Sequence, residues 1–173
     1  MSRNRQRFYQ RIEPNRVHGP VAVNTIGMAI SRATLLTEDE QQQLLQSPRE
    51  GFERMRRGQA TETDWIHLVT ICAIGLSIED GGVVRGLHEV LTEADLALAT
   101  IGQRAMASGA GWRSPTLYAR EIDQLQTLLR MHAFQLSQVS WGEHRRAWKH
   151  AAGSVVQQGG RAVRAAAVEA RAA

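Results

Sequence analysis

Apolar residues at Val84, Leu87, Leu91, Ala94, Leu98, Ile101 and Ala105 fall at alternating spacings of three and four, and Tyr118, Ile122, Leu125, Leu129, His132, Leu136 and Val139 repeat the device. Those spacings put seven side chains on one face of a helix, whereas a strand would need a period of two. The first register runs unbroken across Thr92, so one helix is expected over residues 83–107. Ser114 as cap and Pro115 at the tolerated first position open a second helix over 115–139. Each register spans roughly 32 Å at the helical rise. Two helices of matched length across a short Gly109- and Gly111-containing loop are expected to pack as an antiparallel hairpin.

The flanking segments supply what such a hairpin needs to bury its faces. Trp65, Ile66, Leu68, Val69, Ile71, Cys72, Ala73, Ile74, Leu76 and Ile78 make a helix over 62–79 apolar on nearly every side, which belongs at the centre of a bundle. Thr61 with Asp64 starts it, and Asp80, Gly81 and Gly82 end it. Upstream, 21–36 has apolar residues at helical spacing. Thr37 with Glu40 forms a capping box, and Ser47, Pro48 and Glu50 predict a second start, hence two short helices joined at Ser47. Ser140 with Glu143 opens a last helix, with Trp141, Trp148, Ala151 and Val155 on one side and the pairs Arg145/Lys149 and Arg146/His150 on the other. Gly159 and Gly160 end it. The expected fold is therefore all-α, a single bundle of about six helices built round the long hairpin. A basic arm (1–20) precedes the bundle (21–158), and an Ala/Arg-rich tail (159–173) follows. A chain of 173 residues, 43% apolar and 22% charged, fits one domain with a core of ordinary size.

Net +4 is unevenly laid out: residues 1–20 carry +4, 141–173 carry +4, and 21–140 carry −4. Basic ends on an acidic body suit polyanions, because each neutralised phosphate releases a counterion. In the first arm Arg3, Arg5, Arg7 and Arg11 surround Phe8 and Tyr9, combining phosphate-seeking guanidinium groups with stacking faces. In the last helix Arg145, Arg146 and Lys149 form a basic face. Each also has a plainer reading, the arm as a solubilising tail and the face as solvated surface. Trp112 and Arg113, between flexible glycines, and Trp141 carry side chains enriched where proteins bind one another. Trp112 folded back to plug the end of the hairpin is an equal alternative.

Catalytic patterns are missing from the chain: no phosphate loop, GxGxxG, HExxH, nucleophile elbow or paired CxxC occurs. No enzyme, cofactor or metal is expected. His132, on an apolar stripe, is read as a core side chain with a hydrogen-bond partner, and His144 and His150 sit among cations that would repel a metal. Gly81 and Gly82 could join a helix-turn-helix offering Arg85 and His88, but Val84, Leu87 and Leu91 commit that segment to the bundle. Cys72, the single cysteine, permits no intramolecular disulfide and is expected to be an inert buried thiol. The first twenty residues lack an apolar signal region. The longest apolar run, 66–78, is interrupted by His67, Thr70 and Ser77 and falls short of the ~20 residues a membrane span needs. A cytoplasmic protein without a membrane span is expected.

Gly82-Val83-Val84-Arg85-Gly86-Leu87, Gln103-Arg104-Ala105-Met106 and Glu121-Ile122-Asp123 resemble small uncharacterised helical proteins carried by bacterial phages and plasmids, over roughly residues 20 to 155. The resemblance implies an accessory regulator or an inhibitor of host machinery, and it assigns no functional residues. Two functions follow from the sequence: a non-enzymatic regulator contacting nucleic acid through its basic termini, or a protein-interaction module that binds a host or self protein.

Overall fold

The computed structural model describes residues 33–153, and these are helical apart from their connections and one isolated bridge. The helices are α1 (Glu38–Arg56), α2 (Glu62–Asp80), α3 (His88–Met106), α4 (Ala119–Gln138) and α5, which covers 141–153 as far as it is described. The all-α reading holds for these residues. The capping boxes at Thr37/Glu40, Thr61/Asp64 and Ser140/Glu143 form as expected, each with the acid reaching back to the cap backbone at 2.8 Å. Only the end of the segment 21–36 is described. There Leu36 N–H donates to the Val139 carbonyl at 3.1 Å and Trp141 N–H to that of Thr34 at 3.3 Å, so the chain is paired across rather than helical over 34–36.

Three further expectations are corrected. No break occurs at Ser47: α1 is continuous with Pro48 inside it. Leu45, Pro48, Phe52 and Met55 are all buried, so the proline ring fills a place in the apolar stripe. Packing of that stripe offsets the ~3 kcal/mol a proline costs inside a helix. Second, α3 begins at His88 rather than 83, because Gly82 and Gly86 adopt φ of 74° and 92° and turn the chain out of the helix. Val84 is still buried, so the apolar register outlasts the helical backbone. Third, Ser114 is no helix cap. Its hydroxyl accepts from Ala60 N–H at 3.1 Å, and α4 starts at Ala119 after an extended stretch.

α2 packs against α1, α3 and α4, the central place its all-round apolar surface called for. Trp65 Nε1 donates to the Leu98 carbonyl at 2.9 Å and Cys72 Sγ to that of Leu91 at 3.3 Å. Seven residues forward along α2 match seven backward along α3, so these helices run antiparallel. One apolar cluster centres on Leu68, Cys72, Leu91, Leu98, Leu125 and Leu128, and a second, around Ile74, Ile78, Leu136 and Val139, receives Ala147 and Ala151 of α5. Polar groups enter between them. Gln135, fully buried, donates to the Gly75 carbonyl at 2.9 Å. A Cβ on residue 75 would lie 2.9 Å from Gln135 Oε1, which explains a glycine inside the central helix.

Candidate nucleic-acid interface

α5 is anchored before it is charged. The bridge between Leu35 and Ser140 fixes its cap residue, and Ser140 Oγ accepts from Glu143 N–H at 3.3 Å. The Glu143 carboxylate takes both the backbone N–H and the hydroxyl of Ser140 at 2.8 Å. Those bonds hold the Glu143 carboxyl below its ordinary range. On the inner side His144, Ala147 and Ala151 are buried while Trp141 and Trp148 pack half-buried on the second cluster. Trp141 stacks on His144 with ring centroids 5.6 Å apart and planes 6° from parallel.

Arg145, Arg146 and Lys149 are all exposed on the opposite side. Among the described residues none of the three forms an ion pair. The nearest acid in sequence, Glu143, is engaged at the cap, with Arg146 helping to lower its carboxyl, so among the described residues the outward surface of α5 is net positive. Burial pushes the His144 ring down to about 4, and it adds no charge at neutral pH. His144 therefore belongs to the inner face and not to the basic one. Its spacing of three from both Trp141 and Ala147 is the sequence signal for that placement. His150, exposed, bonds through Nδ1 with Ser77 Oγ at 3.2 Å.

Arg3, Arg5, Arg7 and Arg11 lie outside the described residues, as do Val155, the two glycines 159 and 160, and the tail. Trp112 and Arg113 are described and lie far along the chain from α5. Trp112 folds back: its Nε1 donates to the Ala60 carbonyl at 2.8 Å, and its ring lies 5.6 Å from that of Trp65. Arg113 is exposed, with its backbone N–H donating to the Ala105 carbonyl at 3.0 Å. The structure thus gathers Trp141 with the three α5 cations, Trp141 facing inward, and keeps Trp112 and Arg113 elsewhere.

Sequence reasoning did not anticipate two salt-bridged nodes. Arg54 binds Asp64 at 2.6 Å, which together with the Thr61 bonds takes the Asp64 carboxyl down to about 2. Arg104 binds Glu121 through two nitrogens at 2.6 and 2.7 Å. Both join residues on different helices, a relation no local spacing encodes. Among the described residues no three His, Cys, Asp or Glu side chains converge as a metal site would require, and no helix is long and apolar enough to cross a membrane. Comparison with protein-family models, curated proteins and solved structures yields no match.

Proposed function

We propose that this is a small non-enzymatic regulatory protein of the cytoplasm that contacts nucleic acid through its basic termini, in the manner of an accessory protein such as phages and plasmids carry. The observation that carries the reading is the outward face of α5, where Arg145, Arg146 and Lys149 stand exposed, without an ion pair among the described residues, while Glu143 is held at the cap. Arg3, Arg5, Arg7 and Arg11 add four phosphate-seeking groups at the other terminus. Behind these ends stands the bundle, with α3 and α4 as its antiparallel hairpin.

A gel-shift titration over several salt concentrations tests the reading. Log affinity is expected to fall linearly with log salt, by about 0.9 per duplex contact or 0.7 per single-strand contact. Removing residues 2–11, or changing Arg145, Arg146 and Lys149 to Ala, lowers that slope in proportion to the phosphates no longer neutralised and leaves the melting temperature nearly unchanged. Absence of binding to DNA and RNA at low salt overturns the proposal and leaves protein interaction, through Trp112, Arg113 or Trp141, as the better account.

A further inference from the structure

Tyr118 occupies an apolar register position yet is 64% exposed, so the core does not use its ring. Something else holds it. Its backbone N–H donates to Glu121 Oε2 at 2.9 Å, and the Arg104 guanidinium lies 4.7 Å from the ring centroid. That guanidinium is fixed in turn by Glu121 and by a 3.2 Å bond to the Thr116 carbonyl. One ring face is therefore backed by an immobilised cation while much of the side chain is left open to solvent.

Other cations lie at the same end of the bundle as the ring. Arg113 and Arg120 are exposed on the same connection and the start of α4. The bonds of Ala60 to Trp112 and Ser114 bring the end of α1, with exposed Arg57, to this end of the bundle. None of these three arginines is ion-paired among the described residues. Of the acids nearby, Glu53, Asp64 and Glu121 are matched by Arg56, Arg54 and Arg104, which leaves exposed Glu62 and Asp123.

We propose that this end of the bundle is a platform for single-stranded nucleic acid, with a base stacked on the open face of Tyr118 and phosphates met by Arg57, Arg113 and Arg120. Every base has a π-face but presents it only when unpaired, which is why the ring selects a single strand over a duplex. The proposal rests on the nucleic-acid reading above, but it places a second contact on the folded body instead of on the termini.

The test is fluorescence anisotropy at low salt with a labelled oligo-dT strand and with a duplex, using the full chain. Tyr118→Ala is expected to weaken single-strand binding by about 5- to 100-fold and to change duplex binding less than twofold. Tyr118→Phe, which keeps the ring, binds like the wild type, and Tyr118→Leu, which keeps bulk without a π-face, behaves like the alanine variant. A melting curve for each variant checks that it folds. Unchanged single-strand affinity in Tyr118→Ala, or equal losses on strand and duplex, overturns the platform while leaving the terminal contacts standing. No binding of either probe, or of an RNA strand, by the wild type overturns both.

Discussion

Cys72 shows how much of a side chain's environment follows from its neighbours in sequence. Those neighbours are apolar, and in the bundle the cysteine is fully buried, with its thiol donating to the Leu91 carbonyl. Burial pushes the thiol up to about 12, so the nucleophilic thiolate is scarce at neutral pH and no reagent reaches it in the folded protein. Labelling with a maleimide is expected to proceed only through unfolding, its rate rising with urea in parallel with the loss of helical circular dichroism. Labelling within minutes in native buffer would contradict that burial. Gly102 makes the opposite point, since nothing around it in sequence marks it. A Cβ there would come within 2.7 Å of Trp65 Cζ2. The indole cannot yield, because its Nε1 is bonded to the Leu98 carbonyl. Gly102→Ala should therefore destabilise by about 1–3 kcal/mol in a urea melt, although alanine is the better helix former.

At the scale of elements, the helices were legible wherever a local signal and the tertiary demand agreed. Each of the three capping boxes begins a helix where its residues promised one, because the bonds concerned span only three residues. The apolar register misjudged the start of α3 for a physical reason. Burial of Val84 needs only that its side chain point inward, and a looped backbone satisfies this as well as a helical one. What ends the loop is Glu79, from the last turn of α2, whose carboxylate accepts from Gly86 N–H at 2.7 Å and from Leu87 N–H at 3.0 Å. Such a cap, seven and eight residues upstream of its donors, has no sequence signature. Glu79→Ala should cost about 1.5–3 kcal/mol, the range for charged hydrogen bonds, and should speed amide exchange at Gly86 and Leu87 more than at Leu98. Within α3 itself Leu98 is fully buried, and Leu98→Ala is expected to cost about 2–5 kcal/mol. Pro48 erred the other way: a strong local stop signal lost to the packing of a continuous apolar stripe.

The whole molecule divides its charge between body and ends. Residues 33–153 hold twelve basic against fifteen acidic side chains, so the described bundle is net −3 while the chain is net +4. The basic face of α5 could be read from sequence because i and i+4 share a side. The Tyr118 end could not, because it is assembled from α1, the connection before α4, and α4 itself. Acid should expose another global property, to which two buried histidines contribute most. His132 is bonded through Nδ1 to Gln135 Oε1 at 3.3 Å. Since Gln135 uses its amide N–H on Gly75, its Oε1 accepts and His132 Nδ1 carries the proton. Burial takes His132 and His144 from the ordinary 6.5 down to about 4. As pH falls below 6.5 the unfolded chain binds these protons first, so the stabilisation is complete above about 6.5 and is lost progressively toward 4. Asp64, lowered to about 2, adds its loss only below the ordinary carboxylate value of 3.8. The acid limb of stability should accordingly begin well above the carboxylate range. The loss by pH 4 is on the order of 3 kcal/mol per histidine, at about 1.4 kcal/mol for each tenfold change in proton affinity. Urea melts at pH 7.5, 6, 5 and 4 measure it. His144→Leu removes one of the two titrating rings without stranding a hydrogen-bond partner, whereas changing His132 would orphan Gln135 Oε1. The leucine variant should show a smaller decline between pH 6.5 and 4 than the wild type, with His132 and the part-buried His67, also lowered by burial, supplying the remainder, and a wild type whose stability stays flat to pH 5 would show that neither ring is held neutral by the core.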